Sequence, residues 1–563
     1  MLTFLVSLQA LLQWLVVLGL LFPIGFFLAR LFDNGAMFFE ARTAWLGLSA
    51  LVTYLNLVHL VIPLSSHLVI GGVTLLSISA IAWHRTAVIS EVKRVFVNQS
   101  SLQFKNCISF IGLLFLANLS LAPIGNYDSG LYHLGLVRYL AHDPIIPGLA
   151  NLHTRFGLGS STYSIAAFFE GGLWGSDGYR LANGFVLLFL VFECSKRIRR
   201  FKTHDNILGD ILIVLSTPLL LMLAIRDPWE YISSPSPDLT SAIVLIVAFA
   251  YSLDAFTSWT NTDMATAVIF TSLAATFRPL NFLALIVIVL VAIFRFIKIP
   301  QSRNIAIFAG IPSALLLFSY VIHNFITTGY MFFPSDLAIT HPKWQVPSDE
   351  AQALVEAIGM WARGMQPLFS TGWFMPVLNQ SKQDFYPAVL ILVATLLLVG
   401  LKFLPATSQQ HENKRVAILG SLTIGGTFLV WFIGAPTPRF GFGVLYALAI
   451  FPLALLANAQ IGDSKNSAKY VVLGMFIILV AQCAWIPLQH GTSMTMAAEK
   501  GNPHNLPILP TITFHQFITN SGLVVNLPDG ESDQCYRTPL CTPYPIPKLH
   551  EITLLGRKGY SVK

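Results

Sequence analysis

Charged residues are scarce in this sequence. Asp, Glu, Lys and Arg make up 11% of its 563 residues, against about a quarter in an ordinary soluble domain. A chain that is also 55% hydrophobic cannot cover a water-facing surface with polar groups. That excludes a soluble globular protein and leaves a polytopic membrane protein. Several motifs are missing as well. There is no GxxxxGK followed by Ser or Thr, no HExxH, no GxSxG and no CxxC. These absences argue against a P-loop motor, a zinc protease, a common serine hydrolase and a dithiol redox site. The net charge is +7, but the basic residues lie in short connections between apolar runs. They form no continuous patch, so nucleic acid is not a partner.

No Lys or Arg precedes the first apolar run, Phe4 to Leu28, and the run is longer than a signal-peptide core. It reads as a retained transmembrane helix. Apolar runs approaching or exceeding bilayer length, about 20 residues, recur at roughly 4–28, 44–63, 67–83, 107–122, 182–195, 207–225, 239–253, 264–277, 281–294, 304–323, 387–401, 416–434, 441–459 and 470–487. The expectation is an all-α polytopic membrane protein with about 14 transmembrane helices. The runs 264–277 and 281–294 meet at Arg278-Pro279-Leu280-Asn281 and could be two spans or a re-entrant pair.

One set of alternate connections holds 19 Lys and Arg, while the short connections of the other set hold only Arg226, Arg278 and Arg439. The first set is assigned to the cytoplasm. Three long segments, 123–181, 324–386 and 488–563, then fall outside, as do both termini. The division is an N-terminal helical region (1–105), a transmembrane core carrying the two outer loops (106–487), and a small extracytoplasmic C-terminal domain (488–563). The expected place is a bacterial inner membrane. Of five Cys, Cys107, Cys194 and Cys483 read as small buried hydrophobes. Cys535 and Cys541, in CYRTPLC, fit a short-loop disulfide in an oxidising compartment.

Chemistry concentrates in Asn126 to Tyr163. Asp128 precedes a helical pattern of Leu131, Leu134, Val137 and Leu140. It could be that helix's N-cap, or a carboxylate presented with Tyr132 and His133 on one face. An apolar membrane boundary would raise its pKa and suit it to act as a general base. His153 and Arg155 could bind phosphate oxygens. Ser233-Ser234-Pro235-Ser236-Pro237-Asp238, Arg278-Pro279-Leu280-Asn281 and Pro436-Thr437-Pro438-Arg439 place further ionisable or amide groups at outer helix ends. Asp238, Arg278, Asn281 and Arg439 join the binding set, with His323 and Asn324 as weaker candidates. Asp349 to Met365 reads as an amphipathic helix with Leu354, Ile358 and Trp361 on one face.

No cytoplasmic connection is large enough for a nucleotide-sugar domain, so an activated donor would arrive through the membrane plane. That points to a polyprenyl-phosphate-linked sugar donor. The partners are then that donor, a glycan or lipid-linked acceptor, and the bilayer. The early loop acid, surface helix, many spans and outer-face arginines resemble the GT-C superfamily of integral-membrane glycosyltransferases. NYDSGLYH, GLANLHTRFGLGSS, SSPSPD, FRPLN, APTPRFG and CYRTPLCTPY resemble a poorly characterised bacterial membrane-protein family over about 120–560. In the GT-C superfamily the acidic loop usually follows the first span. Here it follows the fourth, as three extra N-terminal spans would explain. The resemblance implies an inverting transfer, with Asp128 as base and Arg155, Arg278 or Arg439 on the carrier phosphate. No compact acidic cluster assigns a metal, and a divalent cation stays open. The rival readings are an O-antigen-type polymerase, a transporter or flippase of lipid-linked glycans, and an assembly protein.

Overall fold

The computed structural model describes residues 2–97, 104–203, 207–298, 303–367, 370, 372, 410–460, 467–490, 509–530, 532–554 and 556–563. Helices dominate. The N-terminal set is α1 (Leu2–Phe32), α2 (Ala41–Val58), α3 (His67–Trp83), α4 (Arg85–Val97) and α5 (Phe104–Leu119). The outer loop supplies α6 (Leu134–His142) and α7 (Ser161–Phe169). Then come α8 (Leu181–Thr203), α9 (Leu208–Arg226), the short α10 (Pro228–Tyr231), α11 (Pro237–Ser258), α12 (Asn261–Phe277), α13 (Phe282–Lys298) and α14 (Arg303–Thr328). The remainder are α15 (Ser348–Ala362), α16 (Gln410–Gly434), α17 (Pro438–Gln460) and α18 (Ser467–His490).

Among the described residues seven helices are long and apolar enough to cross a membrane, or eight if α3 and the start of α4 form one bent span. The chain is a multi-pass membrane protein. The expected number was about 14, and part of the difference lies in length and composition. The 107–122 and 470–487 runs are helical but short, and 264–277 became the 17-residue α12. The expected span at 387–401 lies outside the described residues. Arg278 and a 3₁₀ turn at Pro279–Asn281 join α12 to α13.

Small residues set the closest helix crossing. A Cβ on Gly25 of α1 would fall 1.8 Å from the Thr43 carbonyl oxygen, and one on Gly47 of α2 would fall 2.4 Å from that of Leu21. Only glycine lets these two backbones approach so closely. Between α3 and α4 the chain turns by 91°. With α3 along the membrane normal, α4 lies in the plane of the interface.

The C-terminal region amends the all-α expectation. It forms two antiparallel pairs, β1 (Phe514–Ile518) with β2 (Val524–Pro528), and β3 (His550–Leu554) with β4 (Arg557–Ser561). A Cys535–Cys541 disulfide closes the loop between the pairs. Cys194 and Cys483 are buried free thiols, while the Cys107 side chain lies outside the described residues. The tail packs on both long loops. Tyr560 N–H donates to the Pro147 carbonyl at 2.9 Å, and Ser561 Oγ to that of Lys343 at 2.8 Å. Loops 123–181 and 324–367 and the tail therefore gather at one end of the bundle.

Candidate active site

Four chain segments converge at that end, and two of them begin in the same way. A helix opening with proline, whose missing N–H costs nothing at the first position, carries an ionisable residue next. Pro237-Asp238 opens α11 and Pro438-Arg439 opens α17. Ser236 Oγ caps α11 by accepting from the Asp238 N–H, which leaves the Asp238 carboxylate free to pair with Arg278. Arg278 also donates to the Phe440 carbonyl at 3.2 Å. The Phe440 ring lies between two guanidinium groups, Arg278 at 4.8 Å and Arg439 at 4.9 Å.

Asp128 is the centre. Its side chain makes no capping hydrogen bond. Instead Oδ1 accepts from Arg155 Nη1 at 3.1 Å and Oδ2 from Arg439 Nη2 at 2.6 Å. The carboxylate is nine-tenths buried, and burial alone would push its pKa up. The charge of Arg439, then those of His133 and Arg155, with the Arg439 hydrogen bond, outweigh burial and hold it below the ordinary carboxylate range. The expectation of a raised pKa is thus corrected: sequence proximity to the membrane boundary says nothing of cations arriving from distant segments.

A cavity of about 520 Å³ opens over this group. Asp128, Tyr132, Arg155 and Arg439 line it, together with Trp361 and Phe440. Trp361 and Ile358 come from the apolar face of α15. The Arg439 guanidinium stacks 4.6 Å above the Trp361 ring. Glu230 of α10 was not among the expected site residues. It lies 3.9 Å from Arg439 Nη1 and accepts from Asn126 Nδ2 at 2.7 Å. Burial and the nearby carboxylates push it up to about 7, against Arg439.

The expected one-face grouping of Asp128, Tyr132 and His133 is only half present. Ser129–His133 winds as a π turn, and the adjacent Tyr132 and His133 point to different faces of it. Tyr132 faces the cavity. His133 is turned into the core, where its Nδ1 meets Ser129 Oγ at 3.1 Å and burial pushes it down to about 4. His153 is also buried and pushed down to about 3 by burial and Arg155. Its ring lies 6.2 Å from that of Tyr132, and it does not line the cavity. Asn281 Nδ2 donates to Ser241 Oγ and the Ala274 carbonyl, so it braces the α12–α13 turn. His323 pairs with His59 at 3.0 Å away from the cavity. The Asn324 Oδ1 lies under Gly159. Among the described residues no group of three or more His, Cys, Asp or Glu side chains could hold a metal ion.

The π turn also anchors the tail. The Gly130 carbonyl accepts from the N–H groups of Cys535 at 2.9 Å and Tyr536 at 2.7 Å. A Cβ on Gly130 would fall 2.0 Å from Gln534 Oε1 and 2.9 Å from the Tyr536 ring, so the tail lies close over this turn. Arg537 forks onto the buried Glu170 carboxylate at 2.5 and 2.9 Å. Asp533 reaches the cavity rim and accepts from the Tyr127 hydroxyl at 2.6 Å.

The chain belongs to the family described as Domain of unknown function (DUF8201). The family profile matches residues 8–446, which takes in the N-terminal helices beyond the expected 120–560 range and stops before the tail. No curated protein matches the chain. Among solved structures it is similar to the arabinosyltransferase EmbB of Mycobacterium smegmatis, determined by single-particle cryo-electron microscopy. The identity is 12% and the TM-score 0.35, over 76% of this chain and 42% of that one. The chain thus spans less than half the length of that protein, and function is argued from the site.

Proposed function

We propose that the protein is a GT-C-type membrane glycosyltransferase that moves a sugar from a polyprenyl-phosphate-linked donor to a glycan or lipid-linked acceptor, on the outer side of a bacterial inner membrane. One observation carries the reading: a buried carboxylate held between two arginines inside a cavity, at the end of the bundle where the outer loops and tail gather. Carboxylate and phosphate present similar acceptor geometry to a guanidinium. In the absence of substrate, Asp128 occupies the place a donor phosphate would take on Arg155 and Arg439.

Donor binding then does two things. The phosphate draws the guanidinium groups to itself, and it leaves Asp128 buried with less compensating charge. The Asp128 pKa rises, and a poor base becomes a competent one only when donor is present. The acceptor hydroxyl gives its proton to Asp128, and its oxygen bonds to the anomeric carbon. The bond from that carbon to the phosphate oxygen breaks, and the electron pair stays on the phosphate. Arg155 and Arg439 stabilise the leaving charge, an electrostatic term of the kind that often dominates catalysis. Attack from the opposite face inverts the anomeric centre. Asp238–Arg278, beneath Phe440, holds the α11, α13 and α17 ends in register. The arginines supply the charge neutralisation, so the reading assigns no metal.

The test is sugar incorporation from a polyprenyl-phosphate donor by purified protein in vesicles. Transfer that depends on Asp128 and on both arginines supports the reading. Transfer retained after Asp128→Asn, at equal protein abundance, ends it.

A further inference from the structure

A second cavity, of about 460 Å³, lies at the opposite end of the bundle. Asp238 faces the candidate active site and Asp254, on the same helix, lines this cavity. Sixteen positions separate them, or about 24 Å at 1.5 Å per residue. The two sites are therefore at opposite ends of the bundle.

The floor is a closed ion network. Arg197 donates to Glu193 at 2.6 Å, Asp210 at 2.9 Å and Asp254 at 2.5 Å, and Arg200 reaches Asp210 and Asp254. Each carboxylate lining the cavity is already engaged. Glu193 and Asp254 hold Arg197, and Glu40 holds Arg42 at 3.3 Å. Asp263 accepts from Ser258 and Thr260 hydroxyls at 2.5 and 2.8 Å.

The donors are not all spent. Arg197 is 3% exposed, yet its Nη2 is buried with no hydrogen-bond partner. Lys196 is half-buried in the wall and, among the described residues, has no carboxylate within ion-pair distance. Its ammonium meets only the Phe192 ring at 5.0 Å. Arg94, itself exposed and paired with the half-buried Glu91 on its own helix, overhangs the opening from α4. A buried cationic donor without a partner is costly, and an anion would complete this set.

We propose that this cavity binds a phosphate-bearing anion through Arg197 Nη2, Lys196 Nζ and the Arg94 guanidinium. Two sources share that chemistry: the headgroup of an anionic phospholipid in this leaflet, and free phosphate. With α3 along the membrane normal, the 91° bend puts α4 in the interface plane and Arg94 at headgroup depth, and basic pockets between transmembrane helices suit such headgroups. The inference does not depend on the transferase reading.

Native mass spectrometry of the purified full-length protein, with phosphatidylglycerol, phosphatidylcholine or inorganic phosphate, tests it. The expected result is selective retention of one phosphatidylglycerol, or one inorganic phosphate that competes with it. Lys196→Gln with Arg94→Gln should lower retention about tenfold, the value of one charge-assisted hydrogen bond. Lys298→Gln, at the same end of the bundle, should leave it unchanged. Phosphatidylglycerol displaced by phosphate gives a headgroup site; phosphate retained without lipid gives a soluble-anion site. Equal retention of both lipids with no phosphate bound overturns the proposal, as does unchanged binding in the double variant. If that variant does not insert, the wild-type comparison of the three probes decides.

Discussion

Two arginine–carboxylate clusters sit at opposite ends of one bundle, built from the same side chains in opposite proportion. At the end where the long loops gather, Arg155 and Arg439 share the Asp128 carboxylate in a cavity that reaches solvent, and the second acid, Glu230, is pushed toward its neutral form. At the other end, Arg197 and Arg200 share three carboxylates, of which Glu193 and Asp210 are 1% and 0% exposed. A cluster with cation to spare, beside open space, can exchange its carboxylate for a phosphate. A network whose carboxylates outnumber its arginines holds helices together, and it leaves one guanidinium nitrogen, Arg197 Nη2, unpaired beside the cavity above it. The difference between a site and a structural tie lies here in stoichiometry and access, not residue type.

The sharpest way to break that contrast is to remove one charged partner at each end. Asp128→Asn keeps size and leaves the loop tied through Gly130, so the protein should insert and fold. Transfer should drop by the general-base range, about 10²–10⁴-fold, measured as sugar incorporation at equal abundance. An effect below a few-fold would reduce Asp128 to a structural partner of Arg439. In the other network, Arg197→Ala leaves three carboxylates without their shared cation. Breaking a buried pair in this way costs about 3–5 kcal/mol. Membrane abundance and unfolding midpoint should fall, whereas Asp128→Asn should leave both near wild type. An Arg197→Ala protein of normal stability would show that the network is not a tie.

Much of the site was written in the sequence, and the rest was hidden for physical reasons. Asp128, Arg155, Arg278, Arg439 and Asp238 stand out because ionisable groups are rare in an apolar chain and sit at helix ends. Their pairing could not be read, since Arg155 and Arg439 reach Asp128 across 27 and 311 residues. The sign of the Asp128 shift was wrong for the same reason. Tyr132 and His133 are adjacent in sequence and so point to different faces of their turn, Tyr132 to the cavity and His133 to the core. Trp361 carried a signal, an aromatic on an amphipathic face, but the helix's docking partner was invisible. The apolar runs marked helices well and lipid contact poorly. α11 is buried throughout its apolar window while the α14 and α16 windows are one-third buried, a distinction no hydropathy window makes.

The tail offers a smaller test of how the open cluster is kept in shape. The disulfide holds the loop that donates two N–H groups to Gly130. Cys535→Ser with Cys541→Ser should cost about 2 kcal/mol on the chain-entropy account of a short loop. Hydrogen exchange should rise at the Tyr536 amide. Because Arg537 still grips Glu170, the helical bundle should keep its midpoint, and exchange in the Arg197 region should not change. Protection lost at both ends would mean that the tail stabilises the whole bundle.

The smallest effect is the most specific to donor-coupled activation. A base must be ionised, so activity is present above its pKa and is lost as pH falls through it. In the free protein the arginines hold Asp128 below the ordinary carboxylate range. The acid limb of kcat/KM, which reports the free enzyme, should therefore fall below the ordinary Asp value of about 3.9, and the profile should stay flat near pH 5. Once donor phosphate has taken up the guanidinium charge, burial persists and compensation is reduced. The acid limb of kcat should then appear about one unit or more higher. Arg439→Gln removes a guanidinium before any donor binds, so in that variant the kcat/KM limb should move up toward the kcat limb. Coincident limbs in the wild type would mean that phosphate and Asp128 do not compete for the same arginines. A kcat/KM limb that Arg439→Gln leaves in place would assign the limb to another group, and Glu230, held near 7, would then be the one to test.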